Sequence, residues 1–366
     1  MNSITHISDK YLAFRGMASS RIPHWEMWSC PDAETFLTGI DYYDHPRQCR
    51  SKMAEQYPDL DLPIFETDEP RKRPDFETTI GEDGHTYQRW GDGRTDLFAW
   101  GDGFKTEEDI FNFSPLENAD YRLRLVGERW DYRDEEKLCL DMRKGWRFPL
   151  EEGERGREGD DRWASFYNTA FMWPLLMFGW DLFLETCLDP RFERIMDEFA
   201  EINRRAFRCL ARFPVNFIVT HDDIVTAQGP ICPPWWMRKY IYPRYEELFG
   251  ILRDCGKQVI FMADGKIDAC IDNVMACGAS GVYTEPYTDF KAIARKHKNC
   301  VLAGEGDNRI LKQNDPARIR IMVENMVETS RMTGGYLMGI GNHITWDLPP
   351  QAVKLYFDLS AELARR

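Results

Sequence analysis

Five apolar runs in the second half of the chain end on side chains that can do chemistry. VNFIVT (215–220) is followed by His221-Asp222-Asp223, VIFM (259–262) by Asp264 two residues on, and GVYT (281–284) by Glu285. VLAG (301–304) is followed by Glu305 with Asp307 behind it, and YLMGIG (336–341) by Asn342 and His343. Taken singly, an Asp or Asn at such a point is an ordinary helix N-cap. Five in succession converge on one place if the runs are neighbouring strands. The carboxylates would then repel one another unless some keep their protons or a cation sits among them. Imidazole with two or three carboxylates suits a hard or borderline metal such as zinc, which in catalytic sites keeps one position open. A metal-free polar site is the alternative. The spacing matches no local signature of the H-E-x-x-H kind, and no C-x-x-C pair occurs among the ten cysteines. A thiolate-rich zinc site is therefore not indicated. The cysteines are scattered through apolar segments and read as reduced, mostly buried thiols.

The elements that must carry these residues alternate. From about residue 160, apolar or β-branched runs take turns with amphipathic segments. Asp189-Pro190 opens a helix on which Phe192, Ile195, Met196, Phe199, Ile202 and Ala206 recur at helical spacing, ending before Pro214. Further helices are expected over 234–252, 267–277, 290–298, 316–331 and 351–365. Strands are expected at 163–169, 215–220, 259–262, 281–284, 300–303 and 336–338, with Ile22–Trp25 and Leu62–Phe65 supplying the early ones. Strand–helix alternation means parallel strands with crossover helices. Eight strands suggest an α/β fold of the (β/α)8 TIM-barrel type, whose active sites lie at the carboxyl ends of the strands. A doubly wound open sheet is the alternative, but no G-x-G-x-x-G follows the first strand to support a dinucleotide site. The stretch 66–160 reads as an irregular insertion or cap within one domain spanning 1–366. In it, Phe76–Ile80 and Thr86–Trp90 flank Gly81-Glu82-Asp83-Gly84 as a hairpin, and the charged stretch 151–161 reads as a solvated loop.

Composition narrows the function classes. The chain has 366 residues, 47 Lys+Arg against 61 Asp+Glu and a formal charge of −14, with 43% apolar and 30% charged residues. That acidity argues against a sequence-independent grip on nucleic-acid phosphates. No run of about 18 uncharged apolar residues is available to span a membrane, and the first fifteen residues lack the basic head and apolar block of a secretory signal. A cytoplasmic protein is expected, with a homodimer as one possible assembly. Trp25, Trp28, Phe166, Tyr167, Phe171 and Trp173 could line an apolar pocket for an aromatic ring, although core packing accounts for such residues as well. His6, His45, His85 and His297 fall in loops or on helix faces and receive no role.

The stretch from Phe217 to Lys266 resembles the uroporphyrinogen decarboxylase superfamily. His221-Asp222-Asp223-Ile224, Gln228-Gly229-Pro230, Tyr242-Pro243-Arg244-Tyr245 and the run Gly256 to Gly265 carry the likeness. Arg21-Ile22-Pro23-His24-Trp25 looks like the family's first-strand segment, and Gly341-Asn342-His343 with Asp347 and Pro349 like its last strand-end loop. The resemblance implies a (β/α)8 barrel. The superfamily holds porphyrinogen decarboxylases and zinc-dependent methyltransferases that work with corrinoid proteins. The decarboxylases carry R-Q-A-G-R after the first strand, whose arginines hold substrate carboxylates. Here Glu26-Met27-Trp28-Ser29-Cys30 offers no such partner. The thiol-activating methyltransferases carry an H-x-C pair where Met262, Ala263 and Asp264 stand, and a late Cys where Asn342 stands.

An oxygen-rich set must therefore replace the thiolates if zinc is bound. Asp264, Glu305 and His343 are the first candidates, with Glu285 and His221 next. Asp223, Tyr242 and His221 are candidates for proton transfer or support, His221 being equally readable as a structural histidine. Asn342 joins the aromatic residues as a substrate contact. The pattern looks closest to methyltransferases that take a methyl group from a methyl ether, often a methoxy-aromatic, and pass it to the Co(I) corrinoid of a partner protein. Such chemistry needs Lewis-acid or proton activation of the leaving oxygen and an open mouth in line with the breaking C–O bond. A decarboxylase of a small aromatic or tetrapyrrole acid is the alternative enzyme, and a binding module without chemistry the non-enzymatic one.

Overall fold

The computed structural model describes residues 7–61, 64–73, 78–80, 86–90, 95–98, 103–119, 130–148, 153 and 156–365. Eight short parallel strands organise it: β1 (His24–Trp25), β2 (Leu60–Asp61), β3 (Trp163–Phe166), β4 (Phe217–His221), β5 (Gln258–Ala263), β6 (Gly281–Thr284), β7 (Val301–Ala303) and β8 (Gly335–Leu337). Strands β3 to β8 form one parallel sheet in sequence order. A parallel bridge from His24 to Met338 attaches β1 beyond β8, and β1 pairs with β2. The round returns to its start through a side chain, with the Trp163 indole donating to Asp61 Oδ2 at 3.3 Å. The architecture is of the (β/α)8 type, so the carboxyl ends of all eight strands face one side.

The second strand lies at Leu60–Asp61, earlier than the apolar run Leu62–Phe65 suggested. Ile64 is half exposed, and Phe65 lies beneath the guanidinium groups of Arg50 and Arg71 in a lateral cluster with Tyr42. The aromatic–cation packing there replaces a place in the sheet. Helix α2 (Phe192–Ala211) buries Phe192, Ile195, Met196, Phe199, Ile202 and Ala206 but begins after the Asp189-Pro190 expected to open it, and the helix expected over 267–277 is shortened to Ile271–Ala276. The expected helix over 234–252 is two, Pro234–Tyr240 and α3 (Tyr242–Asp254), the second restarting on Pro243.

Period-two alternation decides what faces inward. Trp25, Trp163, Phe217, Val219, Ile260, Met262, Tyr283, Val301, Ala303 and Leu337 fill the barrel interior together with Tyr11, Ala13 and Phe14. The last three belong to α1 (Asp9–Phe14), whose N-cap Ser8 accepts from the Tyr11 amide at 3.0 Å. The Phe14 ring stacks on Phe217 at 4.8 Å and meets Trp25 edge-on at 5.4 Å, so α1 floors the amino-terminal end. In the insertion, Thr78–Ile80 and Thr86–Trp90 pair as the expected hairpin, and Thr95–Phe98 adds a third antiparallel strand. Positions 76, 77 and 81–85 of that hairpin, and 151, 152, 154 and 155 of the charged stretch, lie outside the described residues. All ten cysteines are free and nine are buried. No helix among the described residues is long and apolar enough to cross a membrane.

Candidate active site

The end of β4 and the turn after it split their polar residues between two tasks. Asp222 is buried and structural. It accepts from the backbone amides of Ala170, Phe171 and Met172 at 3.0, 2.8 and 2.6 Å and from the Tyr245 hydroxyl at 2.6 Å. It thereby caps the helix Met172–Phe178. His221 and Asp223 face the mouth instead, and one donor atom each from His221, Asp223 and Asp264 lies within 4.8 Å of the others. His221 Nε2 is 3.2 Å from Asp223 Oδ1, and the same oxygen accepts from the Asp264 amide at 2.8 Å. The His221 ring stacks on Tyr167 at 4.2 Å, and its Nδ1 meets the Tyr167 carbonyl at 3.2 Å. A carbonyl only accepts, so Nδ1 carries the proton and Nε2 is turned to the two carboxylates. Metal-ligating histidines are held in this way.

Charge in this cluster is crowded and poorly solvated. Burial opposes a charge on His221, but Asp223 and Asp264 outweigh it and raise its pKa to about 9. Burial and the neighbouring Asp223 raise Asp264 to about 7. Glu285, at the end of β6, is raised by burial and steadied by the Asn342 amide. The donor set of one imidazole nitrogen and two carboxylates, with its tautomer preset, fits a divalent N/O-ligated metal such as zinc.

Asn342 stands between this cluster and a second feature. Its Nδ2 donates to Asp264 Oδ2 at 3.0 Å, and its Oδ1 meets His343 Nδ1 at 2.8 Å. His343 in turn lines a cavity of about 510 Å³ walled by Trp25, Met27, Trp28, Trp146, Phe148 and Trp163. Trp163 packs edge-on against both Trp25 and Trp146, at 5.2 and 6.0 Å, so the indoles form corners. Lys10, Arg50 and Arg162 also line it, each balanced by a carboxylate: Asp61, Glu34 and Asp160 respectively. Burial lowers the pKa of His343 to about 4, helped by the nearby His221.

Of the expected metal candidates, His221 and Asp264 come together, with Glu285 and His343 at the edge. Glu305 does not join them. Gly304 sits at φ +93°, and a Cβ there would fall 2.1 Å from the Thr284 carbonyl oxygen. This left-handed residue breaks the alternation of β7 and turns Glu305 to the helical layer, where it accepts from Thr329 and Tyr336 at 2.8 and 2.5 Å. Tyr242 is also elsewhere, its hydroxyl engaged by Cys270 and Asn273. Phe166 and Phe171 are core residues against Phe207 and against Phe183 and Trp236. Trp173 donates to Asn203 at 2.6 Å in the same layer. Trp25 and Trp28 line the cavity, and Tyr167 backs His221. Trp146, Phe148 and Trp163 belong to the wall although no spacing singled them out. Alternation from Trp163 through Ser165 to Tyr167 could have found Trp163, since it places Phe166 outside.

The family model for uroporphyrinogen decarboxylase (URO-D) matches residues 189–363. The match covers just under half of the chain, the part that holds α2 and strands β4 to β8. Among solved structures, a methyltransferase from Methanosarcina mazei matches over 97% of this chain and 98% of its own at 13% identity, with a TM-score of 0.56. At that identity the likeness is one of fold. An IOLI protein with bound zinc (10% identity, TM-score 0.30) covers 48% of this chain and 71% of its own. A xylose isomerase-like barrel protein from Mycobacterium smegmatis (13%, 0.27) covers 49% and 71%. Likenesses that slight carry nothing about the chemistry of this chain. No curated protein matches by sequence. The matched stretch contains β4 to β8, and hence His221, Asp223, Asp264, Asn342 and His343. The Trp-lined wall comes largely from residues before it.

Proposed function

We propose that this protein is the substrate-side methyltransferase of a demethylation system. It binds a methyl ether, a methoxy-aromatic, and passes the methyl group to the Co(I) corrinoid of a partner protein in the cytoplasm, with zinc held by His221, Asp223 and Asp264. The observation that carries this reading is the joining, through Asn342 and His343, of a His/Asp/Asp donor set to an indole-walled cavity of about 510 Å³. The barrel shares its fold with a methyltransferase, which is compatible with it. When bound, zinc supplies Lewis acidity at the ether oxygen and makes it a better leaving group. The chain's own residues position the reaction. Trp25, Trp146 and Trp163 hold the ring by edge and face contacts, and His221 keeps Nε2 towards the carboxylates because the Tyr167 carbonyl holds Nδ1–H. Without a cation, the cluster balances its charge with protons on His221 and Asp264, which then stand as acids for the departing oxygen. Trp146 and Phe148, described residues of the stretch read as a cap, supply part of the wall.

Decarboxylation of a polycarboxylate fits poorly. Glu26, in the segment where the decarboxylases place arginines, is a buried carboxylate that accepts from the Tyr356 hydroxyl at 2.7 Å and the Ile340 amide at 3.0 Å.

The test is turnover. Purified protein with added Zn2+ is mixed with 2-methoxyphenol and reduced cobalamin. The demethylated phenol is followed by chromatography and methylcobalamin by its visible spectrum. Product from the native protein and none from Asp264→Ala supports the reading. Absence of product across a panel of methoxy-aromatics, with CO2 released from an aromatic acid instead, would replace it.

A further inference from the structure

At Asn342, near the mouth, both backbone and side chain are specified. Its φ is +67°, in the left-handed region that Asn tolerates better than most residues. The Tyr283 hydroxyl reaches its carbonyl oxygen at 2.9 Å. An ionised or metal-bound Asp264 can only accept, so the contact at 3.0 Å fixes which end of the amide is NH2. The other end, Oδ1, then faces His343 Nδ1 at 2.8 Å, and an amide oxygen only accepts. His343 must carry its proton on Nδ1. Asp in place of Asn could not donate to Asp264, and Gly would keep the backbone but lose both bonds.

We infer that Asn342 is a positioning residue that couples the metal-holding cluster to the aromatic cavity, orienting Asp264 on one side and fixing the tautomer of His343 on the other. This deepens the proposed methyltransferase function and rests on it for the metal, while the tautomer rests on the two amide contacts with Asp264 unprotonated, the state in which the spectra are taken. The role differs from the substrate contact expected for this residue, because both ends of its amide are committed within the protein.

Two measurements on the full chain test it. Selective 15N labelling of the seven histidines, with His343 assigned through His343→Asn, reports which ring nitrogen carries the proton. The Nδ1–H form should dominate in the native protein and in Asn342→Asp, which still accepts from His343, and should give way to a tautomer mixture in Asn342→Gly. Zn2+ affinity, read by competition with a chromophoric chelator, should fall about 10- to 100-fold in Asn342→Gly, as for loss of an outer partner of a ligand, with the melting temperature nearly unchanged. An Nε2–H tautomer in the native protein overturns the inference without any variant, as does native tautomer and native Zn2+ affinity in Asn342→Gly. If the native protein binds no Zn2+ at all, the metal reading fails, and the tautomer still decides the inference.

Discussion

The sharpest consequence of the crowded cluster is the pH dependence of metal binding. A metal needs His221 neutral and Asp264 ionised, yet His221 keeps its proton to about pH 9 and Asp264 to about pH 7. Lowering the pH from 8 to 6 should therefore weaken Zn2+ binding about 1000-fold, or about 4 kcal/mol, because His221 costs roughly 10-fold at pH 8 and 1000-fold at pH 6 and Asp264 adds another factor of about 10 at pH 6. With ordinary pKa values for both groups the same change would cost only about 4-fold, since an unperturbed imidazole is mostly neutral at pH 8 and only partly protonated at pH 6. The assay is competition against a chelator of known pH dependence at half-unit intervals. It is paired with calorimetry in two buffers of different ionisation enthalpy to count released protons. One proton should be released near pH 8 and about two at pH 6, because both ligands then start out protonated. A few-fold change would mean that the cluster is not the metal site or that its charges are not crowded as described. Asp223→Asn provides the internal control. It removes the principal charge holding the proton on His221, so the affinity, although lower, should become much flatter with pH.

Three further outcomes rest on individual contacts. Trp146→Leu should weaken binding of 2-methoxyphenol about 3- to 10-fold, the worth of an aromatic pair, without altering Zn2+ affinity; fluorescence and chelator titrations check the two halves. Asp222→Ala leaves three amides and a buried hydroxyl without their acceptor, and should lower stability in urea by about 3 kcal/mol or more. Glu305→Gln should leave Zn2+ affinity unchanged. Burial raises the Glu305 pKa to about 7 in the folded chain, so its contribution to stability is present at low pH and lost as pH rises through 7. The variant should accordingly lose less melting temperature than the native protein between pH 6 and 8.5.

Much of the site is legible in the sequence for a simple reason. In a parallel barrel, a polar residue just past an apolar run is carried to the same face as every other such residue, and that rule places His221, Asp264, Glu285 and His343. It fails at Glu305, where a left-handed glycine reverses the direction of the next side chain, although Gly304 is visible as the end of its run. It fails at Phe166 because apolar character does not say which side of a strand is the barrel interior; counting by twos from Trp163 does. Asp222 and Asp223 cannot be separated by type, only by which of them meets three amide hydrogens. Leu60–Asp61 is obscured by the more apolar segment beside it. Trp146 and Phe148 approach the mouth from a region without period, where no spacing argument reaches.

The plug formed by Tyr11, Ala13 and Phe14 has a kinetic implication. Where the carboxyl-end mouth is the route to the cavity, as the proposed function has it, guests come and go by the same path. If the methyl donor lies deeper than the corrinoid, it must arrive first, and the demethylated product can leave only after the partner protein has withdrawn. Turnover would then follow a compulsory order, with excess partner protein slowing the reaction by sealing the entrance of an empty chamber.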